Sequence, residues 1–160
     1  MDYKVVDNFL PEKDFRVLQE WFMGNEFPWF FQADIEGIGI KNNYSYFTHR
    51  VFDNFLPSYI FEKFFPLLNC IDIKSLIRLK ANCYPYTEKN VTHGVHTDYD
   101  YSHKGAIFSI NTCNGGTILK DGIKIDSIEN RILYFDPSIE HTSTTTNDTH
   151  ARFNININYF

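Results

Sequence analysis

The sequence predicts a mainly β chain with helices at its N-terminal side, in the class of β-sandwiches and jelly rolls. From Leu76 onward, short alternating or apolar runs are separated by turn residues such as Asn, Asp and Gly. Before that point, apolar residues recur at helical spacing in two places. The predicted class is therefore α+β. We expect one domain at 1–160, with a helical support region at 1–75 and a jelly-roll core at 76–160.

The N-terminal region begins with a short strand within 5–10 that runs into a turn. Pro11 suits the first turn of a helix, where a missing N–H is tolerated. Helical spacing then predicts a helix at 11–23, with an apolar face of Phe15, Leu18, Trp21 and Phe22. A second helix is predicted to bury Phe61, Phe64, Phe65 and Leu68. The aromatic stretches at 27–31 and 44–47 are expected either to pack in the core or at sheet edges, or to wall a substrate entrance.

The second half of the chain is read as a series of short strands. The predicted strands cover 76–84, 106–110, 117–119, 123–125, 131–135 and 152–159. Asn114-Gly115-Gly116 is predicted to be the turn before 117–119, and Asp121-Gly122 is a tight hairpin signal. Many short strands at this spacing favour a sandwich or a jelly roll.

Composition and charge narrow the classes of function. The 160 residues are 43% hydrophobic and 18% aromatic, which is enough for one globular core, and the formal net charge is -5. Lysines are scattered singly, which disfavours a protein that gains affinity from a nucleic-acid backbone. No stretch approaches the roughly 18 apolar residues of a membrane span. Three widely spaced cysteines indicate reduced thiols. We expect a cytoplasmic protein with no membrane partner, and nucleic acid is a disfavoured partner.

Three side chains could form a metal site. His96-Thr97-Asp98 places a histidine and a carboxylate two residues apart, so both would point to one face of an extended strand. The distant His141 could complete a three-ligand face. Two histidines and one carboxylate are the ligand set of non-haem Fe(II) oxygenases. The tripeptide alone is a weak motif, so the prediction depends on its combination with His141 and Arg152.

Arg152 opens a strand in which polar and apolar residues alternate. Its planar guanidinium can bind a carboxylate through two parallel hydrogen bonds, which would suit a dicarboxylate co-substrate. Alternation predicts a cavity-lining row of Arg152, Asn154, Asn156 and Asn158. It predicts an outward-packing row of Phe153, Ile155, Ile157 and Tyr159.

These motifs carry a family resemblance through their order and spacing. In chain order they are a strand with Asn82 and Tyr84, His96-Thr97-Asp98, Gly115-Gly116-Thr117, the run 130–136, His141 and Arg152. From about Arg78 to the end, the chain resembles the Fe(II)- and 2-oxoglutarate-dependent oxygenases, in the branch that includes the prolyl 4-hydroxylases. The N-terminal half matches only in its general helical character.

The resemblance implies a double-stranded β-helix, the cupin-like form of the jelly roll. It implies that His96, Asp98 and His141 bind Fe(II) as the catalytic centre. It further implies that Arg152 binds 2-oxoglutarate, with a phenol hydrogen bond from Tyr84 and assistance from Asn82, and that O2 is consumed. The implied reaction hydroxylates an aliphatic C–H bond of a prolyl residue or a small amino-acid-like group, in a peptide or a small molecule.

Two other functions remain open. Asn82-Cys83-Tyr84 and Arg152-x-Asn154 also resemble the oxygenases that repair alkylated nucleic acids, which oxidise a methyl group on a base. That pattern, however, carries a second arginine where Asn158 stands. The other alternative is a non-catalytic metal-binding jelly roll that senses or sequesters a small acid.

The mouth of the site is predicted from sequence neighbourhood alone. Tyr99, Asp100 and Tyr101 follow the metal carboxylate directly, and together with Arg78 they are candidates for substrate contact. The remaining histidines lack partners at useful spacing and receive no role in the site: His49, His93, His103 and His150.

Overall fold

A computed structural model describes residues 2–33 and 44–160. Its N-terminal elements are β1 (Lys4–Val6), α1 (Glu12–Met23), β2 (Phe30–Gln32), β3 (Tyr46–Asp53), β4 (Leu56–Pro57), a 3-10 turn (Phe61–Phe64) and α2 (Phe65–Leu68). Seven further strands follow: β5 (Leu76–Pro85), β6 (Lys104–Ser109), β7 (Cys113–Leu119), β8 (Lys124–Ser127), β9 (Arg131–Phe135), β10 (His141–Ser143) and β11 (Ala151–Tyr159).

The described strands form two antiparallel sheets. The larger has eight strands in the order β1-β9-β6-β11-β5-β3-β2, with β4 paired to β3. The smaller has three strands in the order β10-β7-β8. The long C-terminal strand β11 lies between β5 and β6. The chain is thus mainly β with helices in its N-terminal half, as the sequence predicts.

The region at 1–75 contributes strands as well as helices. β1 pairs with β9, and β3 pairs with β5 with a register shift between Arg50 and Phe52. Strand β3 begins in the aromatic stretch 44–47, where the sequence shows strand-like spacing. The N-terminal half therefore extends the large sheet on both sides, because its strands pair with the exposed edges of the C-terminal ones.

The core lies between α1 and one face of the large sheet. Helix α1 falls within the predicted range 11–23, and its buried residues are Phe15, Leu18 and Phe22. The ring of Phe22 contacts those of Phe27, Trp29, Phe64 and Phe153. From β11, the same cluster includes the apolar alternate row: Phe153, Ile155, Ile157 and Tyr159. The outward-packing half of the predicted alternation is therefore present.

The prediction of a second helix with four buried residues is wrong in its details. The segment is a 3-10 turn followed by the single turn α2, and Phe65 is 43% exposed whereas Phe64 and Leu67 are fully buried. Pro66 has no N–H to continue the hydrogen-bond ladder of a helix begun at Phe61. The helical register changes there, and so does the buried face.

The two predicted turns have different outcomes. Gly122 has φ +83° and its N–H donates to the Leu119 carbonyl, so Asp121-Gly122 does form the tight turn between β7 and β8. Asn114-Gly115-Gly116 is no turn. It lies inside β7, where the register against β8 shifts between Cys113 and Gly116, because the extra residues are accommodated as a bulge. No helix in the described ranges has the length and apolar character needed to span a membrane.

Candidate metal centre and its cavity

Three side chains from two separate parts of the chain meet at one point. His96, Asp98 and His141 each offer a ligand atom, and these atoms lie within 4.8 Å of one another. His141 begins β10, and its backbone N–H and C=O exchange hydrogen bonds of 2.9 and 3.0 Å with His96. This bridge places the two imidazole rings 4.6 Å apart, centroid to centroid. The structure thus brings together the three residues that the sequence nominated as metal ligands.

The expectation that His96 and Asp98 lie on a strand is wrong. The segment between β5 and β6 makes isolated bridges, of which one joins His96 to His141, and the Asp98 N–H bonds instead to the carbonyl of Pro137. Because one bridge does not make a ladder, strand alternation cannot be what turns both side chains inward. The backbone bonds of His96 to the first residue of β10, and of Asp98 to the loop before β10, orient them.

The protonation of both imidazoles suits metal binding. Nδ1 of His96 lies 3.2 Å from the Gly94 carbonyl, and Nδ1 of His141 lies 3.0 Å from the Ile139 carbonyl. A carbonyl only accepts, so Nδ1 carries the proton and Nε2 is left as the ligand atom. Burial lowers the pKa of His141 because the charged form loses hydration. The neutral ring, which is the ligating form, is therefore favoured.

Asp98 is held from both sides. Nη2 of Arg78 donates to Oδ1 at 2.7 Å, and Nδ2 of Asn156 donates to Oδ2 at 3.1 Å. Burial by itself would raise the pKa of Asp98, but the charge of Arg78 and the hydrogen bond from Asn156 outweigh it and hold the pKa at about 2. The carboxylate is ionised at neutral pH and fixed in orientation.

The residues nominated for substrate contact have different surroundings. Arg78 is engaged with Asp98, and its guanidinium also lies 5.3 Å from the ring centroid of Tyr99. Asp100 is exposed. Tyr101 is 42% exposed and stacks on Tyr99 and Phe160. Asp100 and Tyr101 do not line the cavity at the three ligands, whereas Arg78 acts on one of those ligands.

Arg152 lies at the other end of this cavity. It is 1% exposed, with Nη1 donating to the Thr144 carbonyl and Nη2 to the Thr117 hydroxyl, each at 3.2 Å. Nε has no hydrogen-bond partner within the described ranges, and no carboxylate there forms an ion pair with Arg152. Burial lowers the pKa of Arg152, since the cation loses hydration. A buried cation without a counter-ion fits an anionic ligand.

Gly115 explains how the Arg152 side chain fits so deeply. A Cβ at this position would lie 2.6 Å from the Thr145 carbonyl oxygen and 2.7 Å from Cδ of Arg152. Both separations are shorter than real contacts, so the bulge in β7 needs a residue without a side chain there. Gly115, which was predicted to lie in a turn, instead makes room for Arg152.

Tyr84 and Asn82 flank Arg152 across the strand pair. In the β11–β5 register, Arg152 is opposite Tyr84 and Asn154 is opposite Asn82. The Arg152 guanidinium carbon lies 5.7 Å from the Tyr84 ring centroid. Nδ2 of Asn82 donates to Oδ1 of Asn154, whereas Oδ1 of Asn82 is buried without a partner in the described chain. Both residues are buried beside the proposed carboxylate anchor.

One cavity joins the three ligands to Arg152. Its walls are Lys80, Asn82, Tyr84, His96, Asp98, Ile107, Thr117, His141, Ser143, Arg152, Asn154 and Asn156. Asn154 and Asn156 belong to the predicted cavity row, while Asn158 is buried and bonds to His103 and Asn156. Sequence reasoning missed Lys80, Ile107, Thr117 and Ser143. Alternate residues of a strand face the same side, so Lys80 could have been predicted to share the cavity face of β5 with Tyr84 and Asn82.

Two of the four histidines without a predicted role have partners for both ring nitrogens. His49 bonds to the Pro28 carbonyl and the Ser58 hydroxyl, and His103 bonds to Asn158 and the Tyr101 carbonyl. His150 is exposed. His93 differs, because Nδ1 lies 2.7 Å from the Ser143 hydroxyl while Nε2 is buried without a partner in the described ranges.

Solved structures show what this fold is similar to. A prolyl hydroxylase in complex with a hypoxia inducible factor peptide, from Trichoplax adhaerens, has 16% identity and a TM-score of 0.71, over 99% of this chain and 83% of that one. A viral collagen prolyl hydroxylase in a 2OG complex, from Paramecium bursaria Chlorella virus-1, has 13% identity and a TM-score of 0.60, over 98% and 94%.

A third similar structure is an oxidoreductase of the 2OG-Fe(II) oxygenase family from Burkholderia pseudomallei, with 10% identity and a TM-score of 0.70, over 98% of this chain and 84% of that one. No model of a known protein family and no curated protein sequence matches the chain. The chain therefore has the double-stranded β-helix fold of the 2OG-Fe(II) oxygenases, and its structural neighbours include prolyl hydroxylases.

Proposed function

We propose that the protein is an Fe(II)- and 2-oxoglutarate-dependent oxygenase that hydroxylates an aliphatic C–H bond. The observation that carries the proposal is the pairing of two features in one cavity: a His-Asp-His cluster and a buried arginine without a counter-ion. Either feature alone would have several explanations. Together, on this fold, they match the needs of a metal ion and a dicarboxylate.

The donor set fits Fe(II). Two neutral imidazole nitrogens and one carboxylate form the facial triad of non-haem iron oxygenases, which leaves coordination positions open. His96 and His141 would bind through Nε2, because Nδ1 of each is committed to a backbone carbonyl. Asp98 would bind as an oriented carboxylate, since Arg78 and Asn156 each donate to one of its oxygens. When bound, Fe(II) supplies O2 activation coupled to oxidative decarboxylation of 2-oxoglutarate.

The cavity also fits the co-substrate. Arg152 and Asn156 are four residues apart on β11, which is roughly 13 Å along a strand, and Asn156 contacts the metal carboxylate Asp98. Arg152 would bind the distal carboxylate of 2-oxoglutarate, with Tyr84 and Asn82 beside it. Ile107 adds an apolar wall. These residues bind and orient the acid and keep the cavity poor in water.

We infer a prolyl residue or a small amino-acid-like molecule as the substrate, in line with the prolyl hydroxylases among the structural neighbours. We also infer a single domain over 1–160, because the N-terminal strands share a sheet with those of the C-terminal half. A cytoplasmic location would suit the three free cysteines.

Succinate formation tests the proposed function. Purified protein would be supplied with Fe(II), ascorbate, 2-oxoglutarate and O2, with and without candidate prolyl peptides and amino acids, and succinate would be measured by mass spectrometry. We expect succinate that depends on iron and is lost in Asp98→Ala. If the protein bound iron and 2-oxoglutarate but formed no succinate, this result would contradict the proposed enzymatic function and favour a metal-binding sensor of small acids.

A further inference from the structure

Lys80 is a cation inside the candidate site that the proposed chemistry does not use. It lies on β5 and lines the cavity shared by the three ligands and Arg152. Its Nζ is 3.5 Å from the Tyr46 hydroxyl and 5.5 Å from the centroid of that ring. No carboxylate among the described residues pairs with it. A long hydrogen bond to a phenol does not neutralise an ammonium group.

The other cations near the cavity already have a partner or a role. Arg78 pairs with Asp98 at 2.7 Å, and Arg50 pairs with Asp53 at 3.2 Å. Arg152 has the role of binding the co-substrate. Lys80 is therefore the cavity-lining cation that has neither an ion-pair partner among the described residues nor a role in the proposed chemistry. Burial, followed by the charge of Arg78, lowers the pKa of Lys80 to about 8, although the charges of Asp98 and Asp53 oppose this shift.

The position of Lys80 separates it from the co-substrate anchor. In the β11–β5 register, Lys80 is opposite Asn156, whose amide donates to Asp98. Lys80 is thus level with the metal carboxylate. Tyr84, opposite Arg152, is four residues away on the same strand, or roughly 13 Å. An anion held by Lys80 would lie at the metal end of the cavity, where a substrate meets the reacting centre.

We propose that the substrate carries a carboxylate close to the carbon that is oxidised, and that Lys80 binds it. This inference rests on the proposed function and narrows its substrate class to small carboxylic acids, such as amino acids with a free carboxyl group. The compact ammonium of lysine binds as a point charge. A neutral prolyl residue inside a peptide offers no carboxylate to pair with Lys80.

Paired acids and amides test the inference. Under anaerobic conditions, protein loaded with Fe(II) and 2-oxoglutarate would be titrated calorimetrically with N-acetyl-L-proline, N-acetyl-L-leucine and N-acetyl-L-valine, and with the N-methylamide of each. We expect at least one acid to bind ~10-fold or more tightly than its amide, as a charge-assisted hydrogen bond implies. Lys80→Met should abolish that preference and Lys80→Arg should retain it.

A control separates this effect from a general loss of charge. Lys74 is exposed, pairs with Asp72, and precedes the same strand, so Lys74→Met should keep the acid preference. Equal affinity for acid and amide in every pair, or no binding of any acid, would overturn the inference. So would Lys80→Met weakening 2-oxoglutarate itself, because Lys80 would then belong to the co-substrate. Failure of the protein to bind Fe(II) or 2-oxoglutarate would instead count against the proposed function.

Discussion

Arg78 donates from Nη2 to Oδ1 of Asp98 across 2.7 Å, so a guanidinium holds the acidic member of the candidate metal triad. Asn156 binds the other carboxylate oxygen at 3.1 Å. Groups that orient a metal ligand in this way typically contribute 10–100-fold to metal affinity. The affinity of the site for a metal should therefore depend on Arg78 and Asn156 as well as on the three ligands.

Replacement of Arg78 should weaken metal binding. In Arg78→Met, Asp98 keeps the Asn156 hydrogen bond but loses the stronger contact that fixes it, so we expect a ~10–100-fold loss of Co(II) affinity. Arg78→Lys should lose less, because it restores a charge without the planar fork. Spectrophotometric Co(II) titration would measure both. Affinity equal to wild type in Arg78→Met would show that Arg78 does not position Asp98.

Arg152→Ala should weaken 2-oxoglutarate binding without comparable loss of metal. The lost charge-assisted pair is worth on the order of 1.5–3 kcal/mol, or roughly 10–150-fold in affinity. Calorimetric titration of 2-oxoglutarate into the Co(II)-loaded variant would measure it, with Arg152→Lys as the variant that keeps a cation. Unchanged 2-oxoglutarate affinity would reassign Arg152 to a structural role with Thr144 and Thr117.

Metal-free protein should lose stability as the pH falls through the histidine range. Burial lowers the pKa of His93 to about 4, whereas an unfolded histidine titrates near 6.5. Between these values the unfolded state binds more protons, so the free energy of unfolding decreases as pH falls from 6.5 towards 4. The shift corresponds to on the order of 3 kcal/mol.

His93→Gln tests this pH dependence. Denaturant unfolding followed between pH 7 and 4.5 should show a shallower pH slope in the variant. Some slope should remain, because burial also lowers the pKa values of His49 and His141. If the free energy of unfolding had the same pH dependence in the wild type and in His93→Gln, His93 would be excluded as a source of acid sensitivity.

Phe22 should be a main stability determinant of the N-terminal half. Its side chain is fully buried and contacts Phe153, which is adjacent to Arg152 on β11. Phe22→Ala should cost about 3–5 kcal/mol in free energy of unfolding. Val17, on the same helix, is 65% exposed, so Val17→Ala should change stability by less than about 0.5 kcal/mol. Similar values for the two variants would contradict the described packing of α1.

Periodic patterns in the sequence predicted those elements whose structure depends on neighbouring residues along the chain. Alternation from Arg152 to Tyr159 predicted the outer row and three of the four cavity residues, Asn158 being the exception, and helical spacing placed α1. The second helix was wrong because Pro66 changes the register. Gly115 was assigned to a turn because its real constraint, the approach of Arg152, comes from a strand far along the chain.

The metal ligands could be predicted from the sequence, but the residues that orient those ligands could not. Spacing and resemblance nominated the metal ligands, whereas the contacts of Arg78 and Asn156 with Asp98 depend on strand pairing between β5 and β11. Lys80 was missed for a related reason. No motif includes Lys80, and only its alternation with Tyr84 and Asn82 along β5 would have placed it on the cavity side.

Co(II) titration of single-site variants tests the central claim most directly. Wild-type protein should bind one Co(II) per chain with a visible spectrum that changes on addition of 2-oxoglutarate. Asp98→Ala and His141→Ala should each lose the site, with affinity reduced by more than ~100-fold, while replacement of the exposed His150 by Ala should leave it intact. If Asp98→Ala and His141→Ala bound Co(II) as wild type does, the metal centre described by these residues would be wrong.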